Sequence, residues 1–428
     1  MSATGILDGA FPASGRPALG RAIVRRLAAR VLDVLVAFWM FSGAVVFIEP
    51  SPYELAFLLV LPAAVLAGLG LYRSTFGLLA IILLFTPFAL IACFQVRYSS
   101  VTTALTFSLV TVFLLITAYF LANYVAQAPH RRMKLIVAAY TAAALFASVL
   151  GILAYLHLIP GAELFLLYGR ARATFKDPNV YGPFLVLPAM YALQRILLGN
   201  RRQVLWAGLV YMVIFVGVFV SFSRAAWGHF ALSSIMVLGL VFLLEAGARE
   251  KVRIMLMALA GALLLAVALA GLLSIPAVNH LFEVRTASQD YDSGATGRFG
   301  RQGYAFELAI DHPWGLGPGE FRNLRIIEEP HNVYVSVLHV YGWGGGVLFY
   351  LLVGLTLWKG FAALARPSPY RLLAIPLIST FVMLAGESAI IDTDHWRHLY
   401  LLIGLIWGVS SAIGKADPGE IPHRAALV

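Results

Sequence analysis

Between Arg298 and Tyr334 lies the one long polar interruption of an otherwise apolar chain, and its residue types can do chemistry together. Arg298 and Arg301 stand three apart, on one face if the run is helical. The following YAFELAI supports that helix, and Asp311-His312-Pro313 stops it, because the residue before a proline leaves the α region. Gly315, Gly317 and Gly319 then read as a tight turn. They follow no strand of a βαβ unit, so a dinucleotide fingerprint fails. Glu328 and Glu329 come next, and His331-Asn332 closes the stretch where the chain turns apolar again. An imidazole titrates near neutrality and can take a proton from an attacking hydroxyl. Cations, such a base and a flexible loop at a membrane boundary point to chemistry on an anionic, lipid-linked substrate. A lone histidine also serves simply to cap a span, and spacing alone favours that plainer role.

Other basic residues fall on the same side of the chain's topology. They are Arg170, Arg172 and Lys176; Arg224, in the nearly loop-free Ser221-Phe222-Ser223-Arg224; and Arg285, Arg322 and Arg325. A phosphate or pyrophosphate needs several cationic donors, and arginine's planar fork suits it better than lysine's point charge. Arg285, Arg322 and Arg325 are read as snorkelling toward lipid headgroups. Arg172, Arg224 and Arg298 sit in turns or at helix starts beside small residues, and are read as substrate ligands, with Arg301 beside them. Asp392, Asp394 and His395 match no metal-ligand spacing and are read as a solvated loop end. Neither HExxH nor GxSxG occurs. The single cysteine, Cys93, allows neither an internal disulfide nor a thiolate metal site. No metal and no cofactor are expected.

What must position these groups is a bundle of membrane helices. Of 428 residues, 61% are hydrophobic and only 12% charged, where about a quarter is usual for soluble domains. Mean hydropathy is +0.85. The expected fold is an all-α polytopic membrane protein with about twelve spans, each of roughly 20 apolar residues. They fall near 31–48, 53–72, 76–95, 101–122, 135–157, 180–198, 204–222, 226–244, 254–274, 333–357, 371–388 and 397–414. The organisation is then a cytoplasmic segment 1–30, nine spans in 31–274, one large outer loop carrying short helices in 275–332, three spans in 333–414, and a cytoplasmic, disordered tail 415–428. The first apolar run is too long for a cleavable signal and is expected to stay as a span. With the N-terminus in the cytoplasm, 20 of the 31 Lys and Arg fall on the cytoplasmic side, as the positive-inside rule asks, and both termini share that side. The net charge of +10 is therefore orientational, and nucleic acid is not an expected partner. Four glycines, Gly342, Gly344, Gly345 and Gly346, predict a kink or a close helix contact in the tenth span.

Four pieces, in order and on the outer side, resemble the bacterial O-antigen ligase and polymerase superfamily. They are ARATFKDPNVYG at 171–182, FSRAAWG at 222–228, the Arg298-to-Phe321 segment ending in HPWGLGPGEF, and HNVY at 331–334. The resemblance covers roughly residues 165–345. It implies a glycosyltransferase of the bacterial inner membrane with its site facing the periplasm. The donor would be a glycan on undecaprenyl pyrophosphate. The acceptor would be a lipid A core for a ligase, the reading preferred here, or another lipid-linked repeat for an O-antigen or exopolysaccharide polymerase.

By that resemblance His331 is the catalytic base, and Arg224, Arg298 and, less directly, Arg172 hold the pyrophosphate. The route it implies is a single inverting displacement without a metal. Asn332, Glu328 and Glu329 are secondary candidates, the two acids because an ion beside the base would sit on them. One departure is visible: members often carry an acid about eight residues after the HN pair, where this chain has Val340. A flippase or transporter is the rival of another class, and it predicts charged residues along span centres. Those centres are almost free of Asp, Glu, Lys and Arg.

Overall fold

The computed structural model describes residues 16–47, 50–287, 294–324 and 328–414. The expected tail 415–428, the first half of the N-terminal segment and Arg325 lie outside them. Among the described residues the chain is almost wholly helical. It begins with α1 (Arg16–Ser42), α2 (Pro52–Ala67), α3 (Phe76–Cys93), α4 (Val101–Gln127) and α5 (Pro129–Tyr155). A kinked pair follows, α6 (Pro178–Phe184) and α7 (Val186–Leu198), then α8 (Arg201–Val220), α9 (Arg224–Leu244) and α10 (Ala248–Leu273). Three shorter helices, α11 (Pro276–Thr286), α12 (Arg298–Asp311) and α13 (Phe321–Leu324), precede α14 (Val333–Ala365), α15 (Arg371–Glu387) and α16 (Arg397–Ile413).

Eight helices are long and apolar enough to cross a membrane among the described residues, and Pro52–Ala67 and Arg397–Ile413 are shorter apolar ones. The chain is a multi-pass membrane protein. The first helix runs 16–42 rather than 31–48, and the tenth reaches Ala365 rather than 357. One departure from an all-α chain is a two-residue hairpin, Leu166–Leu167 against Arg170–Ala171, turned by Tyr168 and Gly169 at φ 51° and 70°.

Inside a bilayer, lipid is as apolar as leucine, so helices associate through close packing rather than by escaping water. Gly404 and Gly408 of α16, four apart, bring α4 so near that an added Cβ would lie 2.5 Å from Ala118 O and 2.8 Å from Val125 Cβ. At the other end of α14 the glycine cluster divides its work. Gly342 breaks the helix at φ 72°, ψ −179°, and the backbone of Pro313 and Trp314 fills the notch. Gly344 faces the Phe88 ring with no room for a side chain. Gly315, Gly317 and Gly319, all at positive φ, turn the segment between α12 and α13 against that notch and against Ala92 of α3.

Two braces fix what lies at the His331 end of the bundle. Glu320 accepts from Tyr98 N at 2.9 Å and Ser99 N at 2.6 Å, tying the turn before α13 to the loop after α3. Between α9 and α15, His229 Nδ1 lies 2.8 Å from Glu387 Oε2, and His229 Nε2 donates to Thr380 O at 3.0 Å. Ser233 adds a bond to Ser379 O at 3.1 Å.

Candidate active site

His331 sits at φ 56°, in the left-handed region that a non-glycine residue rarely adopts. Strain of this kind persists only where the surroundings over-determine it. Gln302, on α12, donates to His331 O at 3.1 Å and to Ala389 O at 3.4 Å, while its own carbonyl accepts from Asn332 Nδ2 at 3.3 Å. Asn332, not His331, caps α14: its Oδ1 accepts from Tyr334 N at 3.1 Å and Val335 N at 3.3 Å. Val333 N donates to Ser388 O at 2.9 Å, so the segment is pinned between α12 and the end of α15.

The side chain of His331 points between two acids. Nδ1 is 2.8 Å from Asp392 Oδ2, and Nε2 is 3.9 Å from Glu328 Oε2. Asp392 also accepts from Ser336 Oγ at 3.4 Å. A carboxylate at Nδ1 accepts a hydrogen bond from that nitrogen, which in a neutral imidazole puts the lone pair on Nε2. The loop of Asp392, Asp394 and His395 was expected to be a solvated end, and here the structure differs. Asp392 is committed to His331, and His395 Nε2 bonds Thr111 Oγ1 at 2.8 Å while its ring lies 4.0 Å from Phe107. Burial pushes the Asp394 carboxyl up. The loop is short, and packing α15 and α16 together folds it inward over α4 and α14.

Arg301 is buried and paired with Glu328. Arg298, three residues earlier, opens α12 half-buried on the same face as Arg301 and Gln302. Glu329 pairs with the exposed Arg322 at 3.1 Å. Burial first, and then the charge of Asp392, push the Glu329 carboxyl up to about 7. Among the described residues no group of three or more His, Cys, Asp or Glu could hold a metal ion.

A second basic corner forms where α8 turns into α9. Phe222, at φ 47°, makes the turn, Ser223 Oγ accepts from Ala226 N at 3.4 Å, and Arg224 is the first, half-buried residue of α9. The arginine that locks this corner is Arg170, which the sequence places among the outer cations without a role of its own. It is buried, donates to Ser221 O at 2.9 Å and to Asn179 Oδ1 at 2.8 Å, and burial followed by the nearby Arg285 lowers it to about 10. Arg172 instead spans its own loop, to Leu164 O at 3.2 Å and Lys176 O at 3.4 Å. The structure thus gathers His331, Asn332, Arg298, Arg301, Glu328 and Glu329 around α12. Arg224 and Arg172 stand in the other corner. The corners are linked through α15, whose Glu387 holds α9 and whose next residues hold Val333 and Gln302.

Below Arg224 an apolar groove of about 980 Å³ runs between α8, α9 and α10. Phe219, Trp227 and Phe282 line its end near the site, and Leu197 and Val204 its far end.

Residues 207–350 match the family described as O-antigen ligase. The matched stretch contains Arg224, Arg298, Arg301, His331 and Asn332, and ends before Asp392. It supports the resemblance of this chain to the O-antigen ligase and polymerase superfamily. No curated protein matches the chain.

Proposed function

We propose that the chain is a membrane glycosyltransferase, moving a glycan from undecaprenyl pyrophosphate to an acceptor hydroxyl on the periplasmic side of the bacterial inner membrane. The observation that carries the proposal is the His331–Asp392 pair, an oriented base, beside the arginines of α12. In the step, the acceptor oxygen attacks the anomeric carbon and gives its proton to His331 Nε2. The bond from that carbon to the pyrophosphate oxygen breaks, and the electron pair leaves with the pyrophosphate. Arg224 and Arg298, with Arg301 behind them, stabilise the charge that builds there. One displacement inverts the anomeric centre.

The apolar groove beside Arg224 suits the tail of such a donor, with the anionic head at the arginines and the isoprenoid in the bilayer. The 20-to-11 split of basic residues between the two sides supports cytoplasmic termini, a 275–332 loop in the periplasm and a twelve-span arrangement. A ligase acting on a lipid A core is the preferred reading, and a polymerase of the same superfamily would use the same site on a lipid-linked repeat. The test supplies purified protein with lipid-linked donor and both acceptors, in excess EDTA. Glycan joined to lipid A core supports the ligase, and lengthened lipid-linked chains support the polymerase. Because arginines supply the positive charge, transfer persists in EDTA. Transport of the donor without any glycosidic bond formed would overturn the proposal.

A further inference from the structure

At the end of the bundle opposite His331, three helix ends meet. α14 finishes at Ala365 and α16 at Ile413, and the single turn Arg73–Thr75 leads into α3. The start of α3 packs on Trp407, whose ring an added Cβ at Gly77 would approach to 3.3 Å. Trp407 in turn donates from Nε1 to Thr356 Oγ1 at 2.9 Å, which ties α16 to α14. Between these ends lies a cavity of about 280 Å³, and its polar lining is Lys359, Arg366, Ser74, Ser410 and Ser411. That volume falls below the roughly 300–1,000 Å³ of pockets for drug-sized ligands, so it suits one small polar group rather than a glycan.

Among the described residues the lining holds two cations and three hydroxyls but no acid. A lysine near the end of a span ordinarily extends its stem so that the ammonium meets water or headgroups. Lys359 turns inward instead. Its Nζ lies 4.4 Å from the centre of the Trp407 ring and donates to Ser74 O at 3.5 Å. One long bond to a carbonyl uses little of the donor capacity of an ammonium, which carries three N–H groups. Ser74 and Ser411 share a hydrogen bond, and Ser411 is buried. Two hydroxyls that share one hydrogen still have the other to give. Arg366, exposed just past α14, brings a planar fork that can meet two oxygens at once. The positive-inside rule accounts for basic residues at this end but not for a lysine turned into a cavity.

We infer that this cavity binds a phosphate group through Lys359, Arg366 and the serine hydroxyls. Two sources reach it. Trp358, next to Lys359, is 72% exposed, so the cavity borders the lipid-facing side of α14, where the headgroup phosphate of an anionic lipid lies. Arg366 opens the polar turn 366–369, through which free phosphate enters from water. The inference is independent of the reaction proposed above, because the cavity shares no residue with the His331 site.

The test uses full-length protein, with Arg366→Gln and Lys359→Gln beside the unaltered chain. Native mass spectrometry from detergent follows titration with phosphatidylglycerol and with phosphatidylcholine, and isothermal titration calorimetry follows inorganic phosphate. One retained phosphatidylglycerol, with phosphatidylcholine held about tenfold more weakly and each variant losing about tenfold in affinity, assigns the site to a lipid headgroup. Inorganic phosphate bound one to one, and weakened about tenfold in the same variants, assigns it to free phosphate. Arg366 is exposed, so Arg366→Gln tests the site even where Lys359→Gln does not fold. Binding of either probe by Arg366→Gln as tightly as by the unaltered chain, or binding of neither probe by the unaltered chain, would overturn the inference.

Discussion

His331 Nδ1 and Asp392 Oδ2 lie 2.8 Å apart although 61 residues and two long helices separate them in the chain. The pair sets which imidazole nitrogen carries the hydrogen, and it turns Nε2 toward Glu328, the partner of Arg301. If this orientation matters, Asp392→Asn should lower kcat by about 10²–10⁴-fold, the scale on which a mis-set histidine tautomer acts. The KM for the donor should stay nearly unchanged, since among the described residues Asp392 pairs with His331 and with none of the arginines. Steady-state rates against both substrates check this, and an unchanged kcat would remove Asp392 from the machinery.

Glu329 gives the site a pH dependence of known sign. Its carboxyl is raised to about 7, so it is neutral below that pH in the folded protein and anionic above it. The unfolded chain loses this proton near 4.5. The associated stabilisation is therefore complete below about 4.5 and lost as pH rises through about 7. For function, the ionised form adds a negative charge beside His331 and Arg322, at the site proposed to receive the anionic donor. The KM for donor should rise above about pH 7, and Glu329→Gln should flatten that rise. KM measured on both sides of pH 7 for both proteins decides it.

The His229–Glu387 pair braces the two corners and is fully enclosed, with side-chain exposures of 0% and 3%. Replacing one partner leaves an uncompensated polar group, and His229→Leu or Glu387→Leu should each cost about 3–5 kcal/mol. The double replacement should recover most of that, because two apolar side chains leave nothing to satisfy. Thermal unfolding in one detergent, read as a double-mutant cycle, tests it. Additive losses would show that the pair does not act as a unit.

Much of this was legible in the sequence because its causes are local. Apolar runs of span length, the proline after His312 and the glycine cluster around Gly342 act within a few residues, and the helices begin and end near where those signals stand. The four motif pieces likewise placed attention on α12 and His331. Partners brought together by tertiary packing were not legible. Asp392 looked like a solvated acid because nothing near it in the chain shows that α15 and α16 turn it onto His331. Its signal was weak but present: three titratable residues within four positions, on the same side as the histidine. Arg170 and Arg172 cannot be told apart by type or spacing. Only the close approach of the 170 loop to Ser221 makes one a buried lock and the other a loop strut. Gln302 is an ordinary helix residue until His331, at its unusual φ, needs its carbonyl held.

The central claim is that His331 takes the acceptor's proton, and it is tested most directly by transfer and donor binding measured on the same His331→Ala preparation. With lipid-linked donor and acceptor in nanodiscs, glycosidic bond formation should fall to background while the donor's Kd stays within about twofold of the unaltered protein, since a base acts on the transition state and not on ground-state binding. Transfer by His331→Ala at the unaltered rate, with donor bound as before, would contradict the account.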